Sequence, residues 1–209
     1  MMLHDAHCTM TRTTLQLNLF LFLFSAFFSY PYPTQAIGSA YSSPSSFAGF
    51  SGSVQNDETD VLRGVYVPDV LGLPVIQQPA DDPYYVSNRY GEVTQFAMVA
   101  PYGNIGLLAH NTLSGKEFSE LSVGQEVRLV YGDGQVEYFV IGQVLRFQAL
   151  EPDSVSSSFR NLDRNETLSA GELFSRAYTG ERRLVFQTCI EANGDLSWGR
   201  LFVIAFPKG

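Results

Sequence analysis

The chain has 209 residues, 45% of them hydrophobic, with 16 Phe and 11 Tyr, so a packed core is easily supplied and general disorder is excluded. Thirteen Lys and Arg stand against 21 Asp and Glu, a net charge of −8, and lysine occurs only at Lys116 and Lys208. That balance argues against nucleic acid and anionic membrane surfaces as partners, because no polybasic patch can form.

Leu19 to Phe28 reads LFLFLFSAFF, inside an apolar stretch from Leu15 to Tyr32. A bilayer-spanning helix needs about 20 residues, so the run is short for an anchor and suits the apolar part of an export signal. Pro31 and Pro33 stop it, and Thr34-Gln35-Ala36 fits cleavage after Ala36, with Ala40 as second choice. Arg12 is the only strong cation ahead of the run, which fits translation starting at Met10. Residues 1–36 are expected to be a signal peptide or an uncleaved anchor. Either way the protein is expected to be exported, secreted or membrane-anchored, with membrane contact only if the segment is uncleaved.

Residues 37–60 are rich in Ser, Gly and Ala and show no periodicity, so a flexible linker is expected there. A domain of residues 61–209 follows. Its strand candidates are Arg63–Pro68, Val93–Ala100, Gly106–Ala109, Glu126–Val130, Val136–Leu145, Leu184–Thr188 and Arg200–Phe206. Gly132-Asp133-Gly134 between two of them is a hairpin signal. Helical signals are few: Lys116–Leu121, and a Ser169-x-x-Glu172 capping box ahead of Leu173, Phe174 and Ala177, ended by Gly180. Seven or eight short strands with one or two short helices favour an antiparallel barrel or sandwich over a parallel α/β sheet. Glu151–Arg183 reads as a long polar loop of the kind that often carries function.

Cysteine and histidine are scarce. Cys8, His4 and His7 fall in the expected signal, leaving Cys189 and His110. A single thiol allows no internal disulfide, and in an exported protein it is either reactive or a small buried apolar group. Cys189 follows the apolar run Leu184–Thr188, and His110 follows Gly106–Ala109. Asn193-Gly194-Asp195 supplies a turn that returns the chain, with Arg200, alongside Cys189. A thiolate is the attacking form of cysteine, histidine can exchange its proton, and arginine stabilises an oxyanion. Cys189, His110 and Arg200 thus form a complete set for acyl transfer. Thr188, Asn111 and Trp198 are candidates for substrate contact, Asn111 also for orienting His110. One Cys and one His cannot build a four-ligand zinc site, so no metal or cofactor is expected. Asp81-Asp82 reads as a solvated loop, with Ca²⁺ as the alternative, and Asn165-Glu166-Thr167 is a glycosylation sequon.

These local sequences resemble the sortases, exported bacterial cysteine transpeptidases. Leu107-Leu-Ala-His-Asn-Thr112 is similar to their histidine motif, with Ala109 where Gly is frequent. Phe118, Leu121 and Gly124 follow in the family's order, with Gln125 where Asp is usual. Thr188-Cys189 is similar to the cysteine motif, and Arg200 opens the last strand as the family's arginine does. The resemblance covers about Val61 to Phe206. It implies a mostly β fold, a closed antiparallel or mixed eight-stranded barrel. It also implies Cys189 as nucleophile, His110 as general acid/base and Arg200 as oxyanion and substrate stabiliser. The implied substrate is a C-terminal Leu-Pro-x-Thr-Gly-like sorting signal of a surface protein, joined to a cell-wall or pilin-like amine acceptor. Two other readings stand beside it: a thiol peptidase that uses water, and a non-catalytic secreted peptide-binding barrel. A peptidoglycan L,D-transpeptidase fits less well, because Arg200 lies too far along the chain from Cys189.

Overall fold

The computed structural model describes residues 46–154 and 156–209. The expected signal segment and its cleavage sites lie outside the described residues. Ten strands form one sheet: β1 (Leu62–Val67), β2 (Leu71–Gln77), β3 (Val93–Gln95), β4 (Ile105–Leu108), β5 (Glu126–Tyr131), β6 (Val136–Ala149), β7 (Phe159–Asn161), β8 (Thr167–Leu168), β9 (Leu184–Ala192) and β10 (Asp195–Pro207). The order is β10-β9-β4-β3-β2-β1-β5-β6-β7-β8, and β10 also pairs with β6. That last pairing closes eight strands into a barrel, and β7 and β8 extend from the far half of β6. The β2–β3 and β4–β9 pairs are parallel and the rest antiparallel, so the barrel is mixed.

Strand alternation divides the apolar residues between two cores. Leu107, Ala109, Leu184, Phe186, Leu201 and Val203 join the cluster inside the barrel. Leu108, Val185, Phe202 and Ile204, one residue out of step, join a second cluster on the outer face. Helix α2 (Ala170–Tyr178) covers that outer face with Leu173, Phe174, Ala177 and Tyr178. Its start is the expected capping box: the Ser169 hydroxyl accepts from Glu172 N, and the Glu172 carboxylate accepts from Ser169 N at 2.8 Å. Gly180, at φ 102°, takes the left-handed conformation just past its end. The long segment read as a polar loop therefore holds β7, β8 and this helix.

Three local expectations change. Val93–Ala100 was expected as one strand, but β3 stops at Gln95 and a 3-10 helix runs from Ala97 to Tyr102. Pro101 inside it and left-handed Gly103 at its end favour the turn over extended chain. Strand β2 had no counterpart among the strand candidates because Pro74 lies in its middle. It is tolerated where pairing changes hands: Leu71–Pro74 pair with β1 and Val75–Gln77 with β3. Within residues 37–60, read as linker, Phe47–Val54 is helical (α1), capped by Ser46, whose hydroxyl accepts from Gly49 N. Phe47 and Phe50 pack on Tyr66 at ring distances of 5.3 and 5.6 Å. Gly64 makes room for them, since a Cβ there would lie 2.9 Å from the Phe50 ring. The Ser and Gly composition masked two aromatic residues at helical spacing.

Candidate active site

The first determinant of the site is register. In the parallel β4–β9 pair, Ile105 to Leu108 face Leu184 to Gln187 in step. The Ala109 N–H then donates to Gln187 O at 3.3 Å, and the Thr188 hydroxyl donates to Ala109 O at 2.8 Å. Continued two residues past the end of β4, this register would set His110 level with Cys189. On the other side of β9, Cys189 pairs directly with Arg200 of β10. Arg200 pairs in turn with Phe147 of β6. Cys189, Arg200 and Phe147 therefore form one row across β9, β10 and β6, and His110 stands two residues past the end of the neighbouring β4. By alternation with Leu108, Val185 and Phe202, that row lies on the outer face of the barrel.

The β9–β10 connection sets the pairing. Asn193 and Gly194 have φ of 55° and 81°, both left-handed, as a tight hairpin turn requires. Beyond it the register shifts. From Asp195 to Gly199, β10 advances four residues while β9 retreats only two, from Ala192 to Ile190. An unbroken register would have placed Trp198 opposite Cys189; the bulge places Arg200 there. The Arg200 guanidinium donates to Ser197 O and Gly199 O, both at 2.9 Å. Asp195 accepts from Ser197 N at 2.8 Å, and the Asn111 amide donates to Leu196 O at 2.9 Å.

His110 is held from both sides. Its carbonyl accepts from Leu113 N and Gly115 N, each at 2.9 Å. A Cβ on Gly115 would meet Thr188 Oγ1 at 2.3 Å and the Ala109 and His110 carbonyls at 2.7 Å, so glycine alone fits. The ring hydrogen-bonds the Val86 backbone in the β2–β3 connection. That connection is fixed by buried Gln78, whose amide donates to Pro83 O and Tyr85 O and accepts from Ala97 N.

Burial favours the neutral form of both Cys189 and His110. Burial pushes the Cys189 thiol above its ordinary value; the Arg200 charge pulls it down and Asp195 pushes it further up. Burial lowers His110, and the Val86 bond opposes the shift. Cys189 is only 6% exposed and Arg200 1%, so charge developing at the thiol would be poorly screened by water.

Among the other candidates, Thr188 lies on the opposite side of β9 from Cys189, its hydroxyl tied to Ala109, which makes it a strap between strands. Asn111 reaches the bulge. Trp198 is half-buried within it. The sequence reading missed Gly115, Gln78, Val86, and Gln187 with its donor, the Tyr178 hydroxyl. Only Gln187 had a signal: a polar residue in an apolar strand, two positions before Cys189 and so on the same face. Gln125, where the resemblance expected Asp, accepts from Ser122 N at 2.8 Å and closes the turn ahead of β5. Among the described residues no group of three or more His, Cys, Asp or Glu is placed to hold a metal, and no helix is long and apolar enough to cross a membrane.

No protein-family model and no curated protein matches the chain. Among the solved structures similar to it are several sortases. Sortase C-1 from Actinomyces oris shares 10% identity, over 88% of this chain and 86% of that one, with a TM-score of 0.49. Sortase A from Listeria monocytogenes shares 13%, over 71% and 88%, at 0.46. Sortase C1 from Streptococcus agalactiae shares 13%, over 78% and 75%, at 0.46. Identities this low make the likeness one of fold alone.

Proposed function

We propose that the protein is an exported cysteine transpeptidase of the sortase type. The observation that carries this reading is the direct pairing of Cys189 with Arg200, beside a parallel β4–β9 register that leads the chain into His110. Nucleophile and permanent cation face the same way from two paired strands, and the proton carrier follows directly on a third. The motif resemblance around His110, Thr188-Cys189 and Arg200 supplies the substrate class, a Leu-Pro-x-Thr-Gly-like sorting signal.

Cys189 Sγ, as thiolate, bonds to a backbone carbonyl carbon of that signal. Arg200 stabilises the oxyanion, and the carbon–nitrogen bond then breaks. The His110 imidazolium gives its proton to the leaving amine. An incoming amine attacks the thioester and loses a proton to His110, and the Cys189 thiolate departs. One amide replaces another, with no redox change. Because burial favours neutral thiol and neutral imidazole, the reactive ion pair is a minor population, stabilised by Arg200. Thr188 and Gly115 keep the two strands in register. Trp198 and Asn111 border the site, Trp198 as a candidate substrate contact.

The test is to incubate the purified full chain with fluorogenic Leu-Pro-x-Thr-Gly-like peptides, with and without an amine acceptor, and follow Cys189 by mass spectrometry. A thioacyl adduct that an amine converts into ligated peptide, and that is lost in Cys189→Ala, supports the reading. Release by water alone, unchanged by amine, makes the protein a thiol peptidase. A Cys189 that forms no adduct and resists a small alkylating reagent in the folded protein favours the non-catalytic barrel.

A further inference from the structure

We infer that Asn111 is a positioning residue: its side-chain amide holds the β10 bulge that sets Arg200, rather than Trp198, opposite Cys189. The inference deepens the proposed reaction, since it rests on Arg200 being the cation that Cys189 uses. Its grounds are geometric. The hairpin turn by itself dictates a register in which Trp198 faces Cys189, and two extra residues between Asp195 and Gly199 move Arg200 into that place. An irregularity of this size has a competing regular alternative, the unbulged ladder.

Two of the contacts that oppose that alternative come from within the hairpin: Arg200 to Ser197 O, and Ser197 N to Asp195. The third comes from a different part of the fold. Asn111 donates to Leu196 O across 85 residues of sequence, from the turn that immediately follows His110. That turn is itself fixed by the bonds from Leu113 N and Gly115 N to the His110 carbonyl. The same short segment thus carries the histidine and ties down the arginine's bulge. One side chain ties the turn after His110 to the bulge that brings Arg200 opposite the thiol.

The Arg200 charge also lowers the Cys189 thiol from where burial alone would put it. Slipping the register therefore has a signature at the sulfur, independent of any peptide substrate. Asn111→Ala and Asn111→Asp are made in the full chain, the second retaining shape without the donor. Backbone NMR reads the cross-strand partner of Cys189 in both. Alkylation of Cys189 by iodoacetamide across pH is read in Asn111→Ala, where no new charge intrudes. The expected result is weakening of the Cys189–Arg200 contact, or its replacement by Cys189–Trp198, with the alkylation midpoint moved to higher pH. Deleting Ser197 and Trp198 removes the two extra residues and leaves Arg200 opposite Cys189 by plain hairpin register. In that background Asn111→Ala is expected to change neither readout.

Wild-type register and an unshifted alkylation profile in Asn111→Ala overturn the inference. So does a shift that persists in the shortened hairpin, which would mean that Asn111 acts by another route. A wild-type protein that shows this register dependence but never forms a thioacyl peptide retracts the proposed reaction and leaves the positioning role standing.

Discussion

The Tyr178 hydroxyl, fully buried at the end of α2, donates to the Gln187 side-chain carbonyl on β9, two residues before Cys189 and on the same face. The rings of Phe96, Phe174 and Phe202 surround Tyr178 at 5.3 to 6.0 Å. The bond therefore joins the covering helix to the strand that carries Cys189 inside an apolar block. Tyr178→Phe leaves the Gln187 amide without this partner in a dry site, an expected loss of about 1–3 kcal/mol. Denaturant unfolding measures it, and Gln187→Leu added to Tyr178→Phe should recover part of the loss.

Gly115→Ala forces a methyl group against Thr188 Oγ1 and two carbonyls. Overpacking of this kind costs about 1–3 kcal/mol. The strain falls on the carbonyl of His110 itself, so alkylation and any acyl transfer should suffer more than the thermal midpoint indicates. A variant with wild-type kinetics would show that the turn after His110 is not rigid.

Asp195→Asn removes the one negative charge that raises the Cys189 thiol, while Arg200 remains. The thiol is then expected to ionise at lower pH, so the rate of alkylation should reach its midpoint earlier as pH rises. Arg200→Gln shifts it the opposite way. An unchanged midpoint in both would mean that neither charge reaches the sulfur.

His110 contributes to acid sensitivity. Its folded form favours the neutral ring, because burial lowers its proton affinity below that of the unfolded chain. As pH falls below the ordinary histidine value of about 6.5, the unfolded state binds the proton first, and stability drops until the folded form also titrates. In His110→Gln the loss of unfolding free energy between pH 7.5 and pH 5.5 should be smaller than in wild type, as urea titrations at the two pH values would show.

Phe50→Ala strips the anchor of α1 from its seat on Gly64 and Tyr66. Truncation of a buried phenylalanine costs about 3–5 kcal/mol in a core, and the lower end is expected for this peripheral cluster. Hydrogen exchange should show residues 47–54 losing protection while the barrel strands keep theirs. Equal protection in the variant would mean that the helix is held by other contacts.

Much of the candidate site's placement was legible because Cys189, His110 and Arg200 each adjoin an apolar strand, and Asn193-Gly194 announces a left-handed turn. The capping box of α2 was legible for the same reason: a short-range rule fixes it. The bulge was not, since Leu196-Ser197-Trp198 alternates as an ordinary strand does and only tertiary ties reveal two residues out of step. Strand β2 was hidden by Pro74, whose cost vanishes only at a changeover of partners. Helix α1 was hidden by composition, because its stability comes from contact with Tyr66 and Arg128 rather than from helical propensity.

Pairing of β6 with β10 has a further consequence. Among the described residues, the only strand with a single neighbour is β8, two residues long. Exposed strand edges are templates on which other chains stack. This barrel leaves almost no such template. It also means that a peptide laid over Cys189 cannot be recruited as an additional strand of the barrel. On the proposed reading, selectivity then comes from side chains on the outer face and from the loops around it, so changes in that surface retarget the protein without reshaping its scaffold.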